Sequence, residues 1–164
     1  MLTFRIAEKK DLIIIHQIAQ QTWFITYQSF ISQAQIDFMF EKMYTLDALE
    51  EQMILEKNNF IIALFESTPC GFLAYKIVEG EPLVKVPKLY VLPYFQGKKI
   101  GALLLDKLME IAKQNNKCFI QLNVNRNNPA IQFYLKMGFS ITQTVDIPYY
   151  NFVLNDFVLQ KTVC

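Results

Sequence analysis

The sequence predicts an α/β fold of the mixed α+β kind: a central, mostly antiparallel twisted sheet of about seven strands with helices on both faces. Three observations predict it. Segments of helical and of strand character follow one another as β-α-α-α-β-β-β-α-β-α-β-β. The three successive strands are separated by short turns, which makes an antiparallel meander. The β-α-β-α run after them requires a right-handed crossover and so locally parallel strands.

Leu2–Ile6 alternates and reads as a first strand. Asp11 opens a helix that runs through about Tyr27, with apolar residues at Ile14, Ile15, Ile18, Ala19 and Trp23. Ser32 followed by Gln35 has capping-box spacing and starts a second helix, ending near Met43. Thr45 caps a third over Leu46–Lys57. Phe60–Phe65, Gly71–Val78 and Leu83–Val91 form the meander, with turn signals at Ser67-Thr68-Pro69 and Gly80-Glu81-Pro82. Pro87 removes a ladder donor, so its strand carries a bulge or an edge there. Ile100–Asn115 is amphipathic and helical, Cys118–Val124 is a strand, and Ala130–Met137 is a helix stopped by Gly138. Phe139–Tyr149 and Phe152–Val163 close the chain as two strands. No repeat or linker divides the 164 residues, which form a single domain over 1–164.

Bulk properties exclude several function classes. A hydrophobic fraction of 52% argues against disorder. A formal net charge of +1 with dispersed basic residues leaves no nucleic-acid footprint. Three widely spaced cysteines without Cys-x-x-Cys, and a single histidine, argue against a disulfide framework and against a zinc site, so no metal is expected. The first residues lack a signal-peptide pattern, and apolar runs stay too short to span a bilayer. The expectation is a cytoplasmic protein with no nucleic-acid or membrane partner, monomeric or homodimeric.

The chemistry concentrates between Leu89 and Met109. A strand ends at Leu89-Tyr90-Val91, a loop carries Gln96-Gly97-Lys98-Lys99, and a helix begins at Ile100-Gly101. Free N–H groups and the positive end of the dipole make a helix start a phosphate site. The P-loop is excluded, because Leu92 and Lys99 stand where it needs Gly and Ser or Thr. The dinucleotide fingerprint is excluded too, because the turn follows a meander and its glycines are wrongly spaced.

Gln96-Gly97-Lys98-Lys99-Ile100-Gly101 resembles motif A of the GCN5-related N-acetyltransferase (GNAT) superfamily, with Lys99 at a position the pattern gives to glycine. Asn127-Asn128-Pro129-Ala130-Ile131-Gln132-Phe133-Tyr134-Leu135-Lys136-Met137-Gly138-Phe139 resembles the same family's Asn-x-x-Ala-x-x-x-Tyr-x-x-x-Gly-Phe segment. Trp23-x-x-x-Tyr27 and the closing Asn155–Lys161 stretch look like the spermidine/spermine-type branch.

The resemblance implies an acyl-CoA acyltransferase fold with acetyl-CoA as co-substrate. Pantetheine would insert beside Leu89, Tyr90 and Val91, and pyrophosphate would sit on Gln96, Gly97, Lys98, Lys99, Ile100 and Gly101. Asn127, or its neighbours Asn125 and Asn128, would contact the cofactor from the segment that includes Ala130. The Val91 N–H would stabilise the oxyanion, and Tyr134 would be the general acid. The usual carboxylate near the end of the third meander strand is replaced by Lys88, Leu89 and Tyr90, which leaves Glu79, Glu81 or a water chain as base.

Trp23, Tyr27 and Tyr149 are candidate acceptor contacts, although rings at helical spacing also suit a core. Asp37, Glu41 and Asp146 are the carboxylates a polycation could use. The expected reaction is acetyl transfer to a primary amine, a small amine or polyamine. Alternatives are acetylation of a protein N-terminus or lysine, and a non-catalytic acyl-CoA-binding regulatory module.

Overall fold

A computed structural model describes residues 1–164. The elements are β1 (Leu2–Ile6), α1 (Leu12–Tyr27), α2 (Gln33–Tyr44), α3 (Leu46–Ile54), β2 (Asn59–Phe65), β3 (Thr68–Ile77), β4 (Leu83–Val91), α4 (Ile100–Gln114), β5 (Phe119–Asn125), α5 (Ala130–Lys136), β6 (Ser140–Tyr149) and β7 (Phe152–Thr162). Short 3-10 turns cover Lys9–Asp11 and Pro93–Phe95. The seven strands form one sheet in the order β1-β2-β3-β4-β5-β7-β6. Only β4 and β5 run parallel. The expected mixed sheet with helices on both faces is therefore the observed one.

Local chemistry sets the boundaries. The Ser32 hydroxyl accepts from Gln35 N–H at 3.2 Å and starts α2, and Thr45 accepts from Ala48 N–H at 3.1 Å and starts α3. α3 stops at Ile54, short of the expected Lys57, and Lys57 itself has a positive φ that a helix cannot continue through. The β2–β3 turn falls on Glu66-Ser67, both left-handed, so Pro69 lies inside β3, where the β2–β3 register shifts at Ala63/Leu64.

Two hydrophobic clusters fill the two faces. One joins Ile61, Leu73, Val84, Leu104, Leu108, Ile120 and Leu159 under α4 and α5. The other joins Ile15, Ile18, Trp23, Met39, Leu49, Phe60 and Phe72 under α1–α3. Alternation along β2 and β3 supplies both. At the edge, Arg5 clamps Asp11 with bonds of 2.7 and 2.9 Å and ties β1 to the start of α1. That pairing, chiefly the hydrogen bond, lowers the Asp11 pKa to about 2.

One expectation is corrected. Cys118 and Cys164 are joined in a disulfide, with Cα atoms 4.8 Å apart. The antiparallel β5–β7 ladder, extended by Val163 N–H donating to Cys118 O at 2.8 Å, brings the C-terminus beside the start of β5. Sequence spacing alone could not reveal this. Cys70 is free and buried.

Candidate active site

The site begins where the parallel pair fails. β4 and β5 are in register only over Leu83–Lys85 and Phe119–Gln121. The β3–β4 register shifts between Ala74 and Lys76, where Pro87 supplies no donor to the ladder. Beyond the bulge β4 turns away from β5, and a cavity of about 340 Å³ opens between them. Leu89, Tyr90, Val91, Gln96, Asn125, Asn128, Ala130 and Tyr134 line it.

Val91 presents its N–H to this cavity. Leu92 N–H donates to Cys70 O at 2.8 Å, so Leu92 faces β3. Alternation then turns the Val91 backbone away from β3 into the opening. The Val91 carbonyl is held from that side by Gln96 Nε2 at 3.3 Å. Gly71, opposite Val91, permits the close approach of β3, since a Cβ there would lie 2.8 Å from Tyr90 O.

Next comes the anion cradle. The N–H groups of six consecutive residues, Gly97 to Ala102, find no acceptor within the protein; the first helical bond is Leu103 N–H to Lys99 O at 3.0 Å. Gly97 (φ +81°) and Lys99 (φ +62°) are both left-handed, which turns the loop into the helix. Lys99 thus adopts the conformation that glycine takes readily and other residues at a cost of roughly 1–2 kcal/mol. Gly97, Lys99, Ile100 and Gly101 line a groove here together with Phe133 and Lys136. Gly101 packs on the Phe133 ring, 3.3 Å from where a Cβ would stand. Lys98 leans away, its Nζ 5.5 Å from the centre of the Phe65 ring. Six free donors at a helix N-terminus flanked by lysines suit a pyrophosphate, and the free edge of β4 suits an extended amide chain such as pantetheine.

Tyr134 projects from α5 into the cavity, 9% exposed, and burial foremost holds its hydroxyl well above the ordinary tyrosine range. It stays protonated at any physiological pH. On the opposite face Tyr27 Oη and Tyr90 Oη share a hydrogen bond of 2.7 Å, and burial pushes the Tyr27 pKa up to about 12. Trp23 lies over this pair, with ring centroids 4.4 Å from Tyr27 and 5.8 Å from Tyr90. Its Nε1–H donates to Ile36 O at 3.1 Å and joins α1 to α2. Trp23 and Tyr27 are therefore both core and cavity wall.

The asparagines divide. Asn125 and the buried Asn128 line the cavity, and Asn128 Oδ1 also accepts from Ala130 N–H at 2.9 Å to start α5. Asn127 is exposed and lines none of these openings. Tyr149 borders a second, adjoining cavity rather than the main one.

Sequence reasoning missed Asp156. It lies on β7, 9% exposed, and is the sole carboxylate on the wall of the main cavity. Burial raises its pKa, while Arg126 and an Asn123 hydrogen bond oppose the rise. Its place opposite Asn125 depends on the β5–β7 register, which no local pattern announces. Glu79 and Glu81 are corrected as bases: both are exposed in the β3–β4 turn, about 25 Å of strand from Val91. Asp37, Glu41 and Asp146 line no cavity described here; Asp146 pairs with Arg126. No group of three or more His, Cys, Asp or Glu is arranged to hold a metal, and no helix is long and apolar enough to cross a membrane.

Comparison with known proteins decides the family. The acetyltransferase (GNAT) family model matches residues 15–139. The chain belongs to the GNAT family. It is an acetyl-CoA-dependent N-acetyltransferase. A relative from Thermoplasma acidophilum named spermidine N(1)-acetyltransferase is 27% identical over 157 residues, 93% of this chain and 91% of the relative. The PaiA N-acetyltransferase of the same organism, solved in complex with coenzyme A, superposes with a TM-score of 0.86 at 26% identity, covering 99% of both chains. A GCN5-related N-acetyltransferase from Rhodopseudomonas palustris shares the fold, with a TM-score of 0.83 at 19% identity over 98% of this chain and 94% of that one.

Proposed function

We propose that the protein transfers the acetyl group of acetyl-CoA to a small primary amine by direct attack. The observation that carries this reading is the convergence on one cavity of the Val91 N–H, the Tyr134 hydroxyl and the Asp156 carboxylate. The thioester supplies an activated acetyl group. Leu89, Tyr90 and Val91 align the pantetheine arm along the free edge of β4. The N–H groups of Gly97–Ala102, with Lys99 and Lys136, hold the pyrophosphate.

Asp156 attracts the incoming ammonium and takes its proton, so the amine attacks in neutral form. The Val91 N–H stabilises the oxyanion that develops on the carbonyl oxygen. The Tyr134 hydroxyl gives its proton to the departing sulfur. Burial keeps Tyr134 protonated and raises the Asp156 pKa, which makes its carboxylate a stronger base.

The name of the Thermoplasma relative supports a polyamine as second reading of the acceptor. A protein N-terminus or lysine fits less well. α2 and the β6–β7 hairpin meet beside the acceptor face, where Phe38 packs against Tyr150 and Phe152 at 5.0 and 5.5 Å between ring centres, and a peptide would have to pass this contact.

The test is thiol release from acetyl-CoA with a panel of small amines. Amine-dependent release is expected. Tight acetyl-CoA binding without turnover on any amine would overturn the reading in favour of a binding module.

A further inference from the structure

The acceptor face holds a second cavity, of about 590 Å³, which adjoins the first and shares Met43, Val86, Pro87, Lys88, Leu122 and Asn123 with it. Its wall carries four lysines, Lys42, Lys76, Lys85 and Lys88, and one carboxylate, Glu56. None of the four makes an ion pair within 4.0 Å. Lys88 is 8% exposed and lines both cavities, with Nζ 5.0 Å from the centre of the Tyr44 ring and no hydrogen-bond acceptor. Lys76 and Lys85 stand directly opposite each other on β3 and β4. Like charges in that position destabilise a sheet.

A buried ammonium with no ion pair within 4.0 Å, balanced only by the longer-range charge of Glu56, is costly, and so is a like-charge cross-strand pair. An anion in the cavity relieves both. A polyamine brings only further positive charge.

We infer that this cavity is an anion subsite, and that the acceptor is a short primary amine carrying a carboxylate or phosphate at its far end. The inference rests on the acetyl-transfer reading above and narrows its substrate class. The geometry supports such a molecule: Lys88 lies three strand residues from Val91, about 10 Å. The amine would lie near Asp156 and Val91 while the anionic end reaches Lys88, with Lys76 and Lys85 beyond. Burial depresses the Lys88 pKa to about 8, with Glu56 opposing the fall, and a bound anion favours the charged form further.

Calorimetry in the presence of coenzyme A tests the subsite without needing turnover. The probes are ω-amino carboxylates of increasing length, an aminoalkyl phosphate, neutral amino alcohols of matched length, and spermidine. An anionic probe is expected to bind at least about tenfold tighter than its neutral counterpart, as a charge-assisted contact requires. The tighter of carboxylate and phosphate identifies the group. Lys88→Met should reduce that ratio toward one, and Lys88→Arg should keep it; Lys85→Gln, at an exposed position, tests the same ratio independently of core packing. Equal binding of neutral probes, tighter binding of spermidine, or a ratio unaffected by Lys88→Met and Lys85→Gln overturns the subsite. Thiol release on the same probes separates the two readings. Acetylation of neutral amines without anion preference overturns the subsite and leaves the transferase. Anion-selective binding with no acetylation of any amine keeps the subsite and overturns the transfer reading.

Discussion

Tyr134 and Asp156 reach the cavity from opposite faces of the sheet, one from α5 and one from β7, and burial acts on both in the same direction. For the tyrosine the consequence is a secure proton. Tyr134→Phe should lower kcat by about 10²-fold, the lower end of a general-acid contribution, with acetyl-CoA affinity nearly unchanged. Steady-state kinetics and calorimetry check this; undiminished turnover removes Tyr134 as the acid. For Asp156 the raised pKa means that the folded protein holds the proton more tightly than the unfolded chain. Its favourable contribution is present at low pH and is lost as pH rises through the folded value. Asp156→Asn should therefore leave thermal stability at neutral pH equal or higher, lower kcat, and abolish the acidic limb of the kcat/KM profile. A retained acidic limb would assign that titration to another group. Lys99 is the quieter case at this scale: a lysine in a left-handed conformation does what the family pattern assigns to glycine.

At the scale of elements, the splay depends on small offsets in strand pairing. Pro87 and the register shift opposite it turn β4 away from β5 after three paired residues. Gly71 lets β3 follow β4 to its end, so that Val91 faces the cavity. Gly71→Ala would put a methyl group 2.8 Å from a backbone oxygen, with no flexible side chain to give way. Strand displacement should cost about 1–3 kcal/mol in a denaturant titration. Because the displaced residues are Tyr90 and Val91, kcat should fall as well. Wild-type stability in this variant would show that β4 accommodates the methyl without moving. α4 contributes by what it lacks: Lys99 offers no side-chain cap, and the donors it leaves free remain available to an anion.

Over the whole molecule, the two hydrophobic clusters lie on opposite faces of the sheet, and the gap between β4 and β5 connects those faces. The disulfide lies at the other end of β5 from Asn125 and closes a separation of 46 residues. Loop-closure entropy for that span gives at most about 4 kcal/mol. Cys164→Ser should lower the denaturation midpoint accordingly while thiol-release activity persists, since neither cysteine lines the cavities. Unchanged stability would show that the β5–β7 ladder alone holds the terminus.

Much of this was readable in advance because it is local. Capping at Ser32 and Thr45, the meander, the amphipathic α4 and the Gln96–Gly101 turn depend on neighbours in sequence, and period and turn chemistry report them. So the chain by itself determined the fold class, the phosphate-suited helix start and the family resemblance. Tertiary structure alone decided what depends on register between distant strands. It brought Asp156 opposite Asn125, buried Lys88 without an ion pair, set Lys76 against Lys85 and joined Cys118 to Cys164. The physical reason is that strand pairing places residues by hydrogen-bond register across long loops, and a one-residue slip would send each of these side chains to the other face.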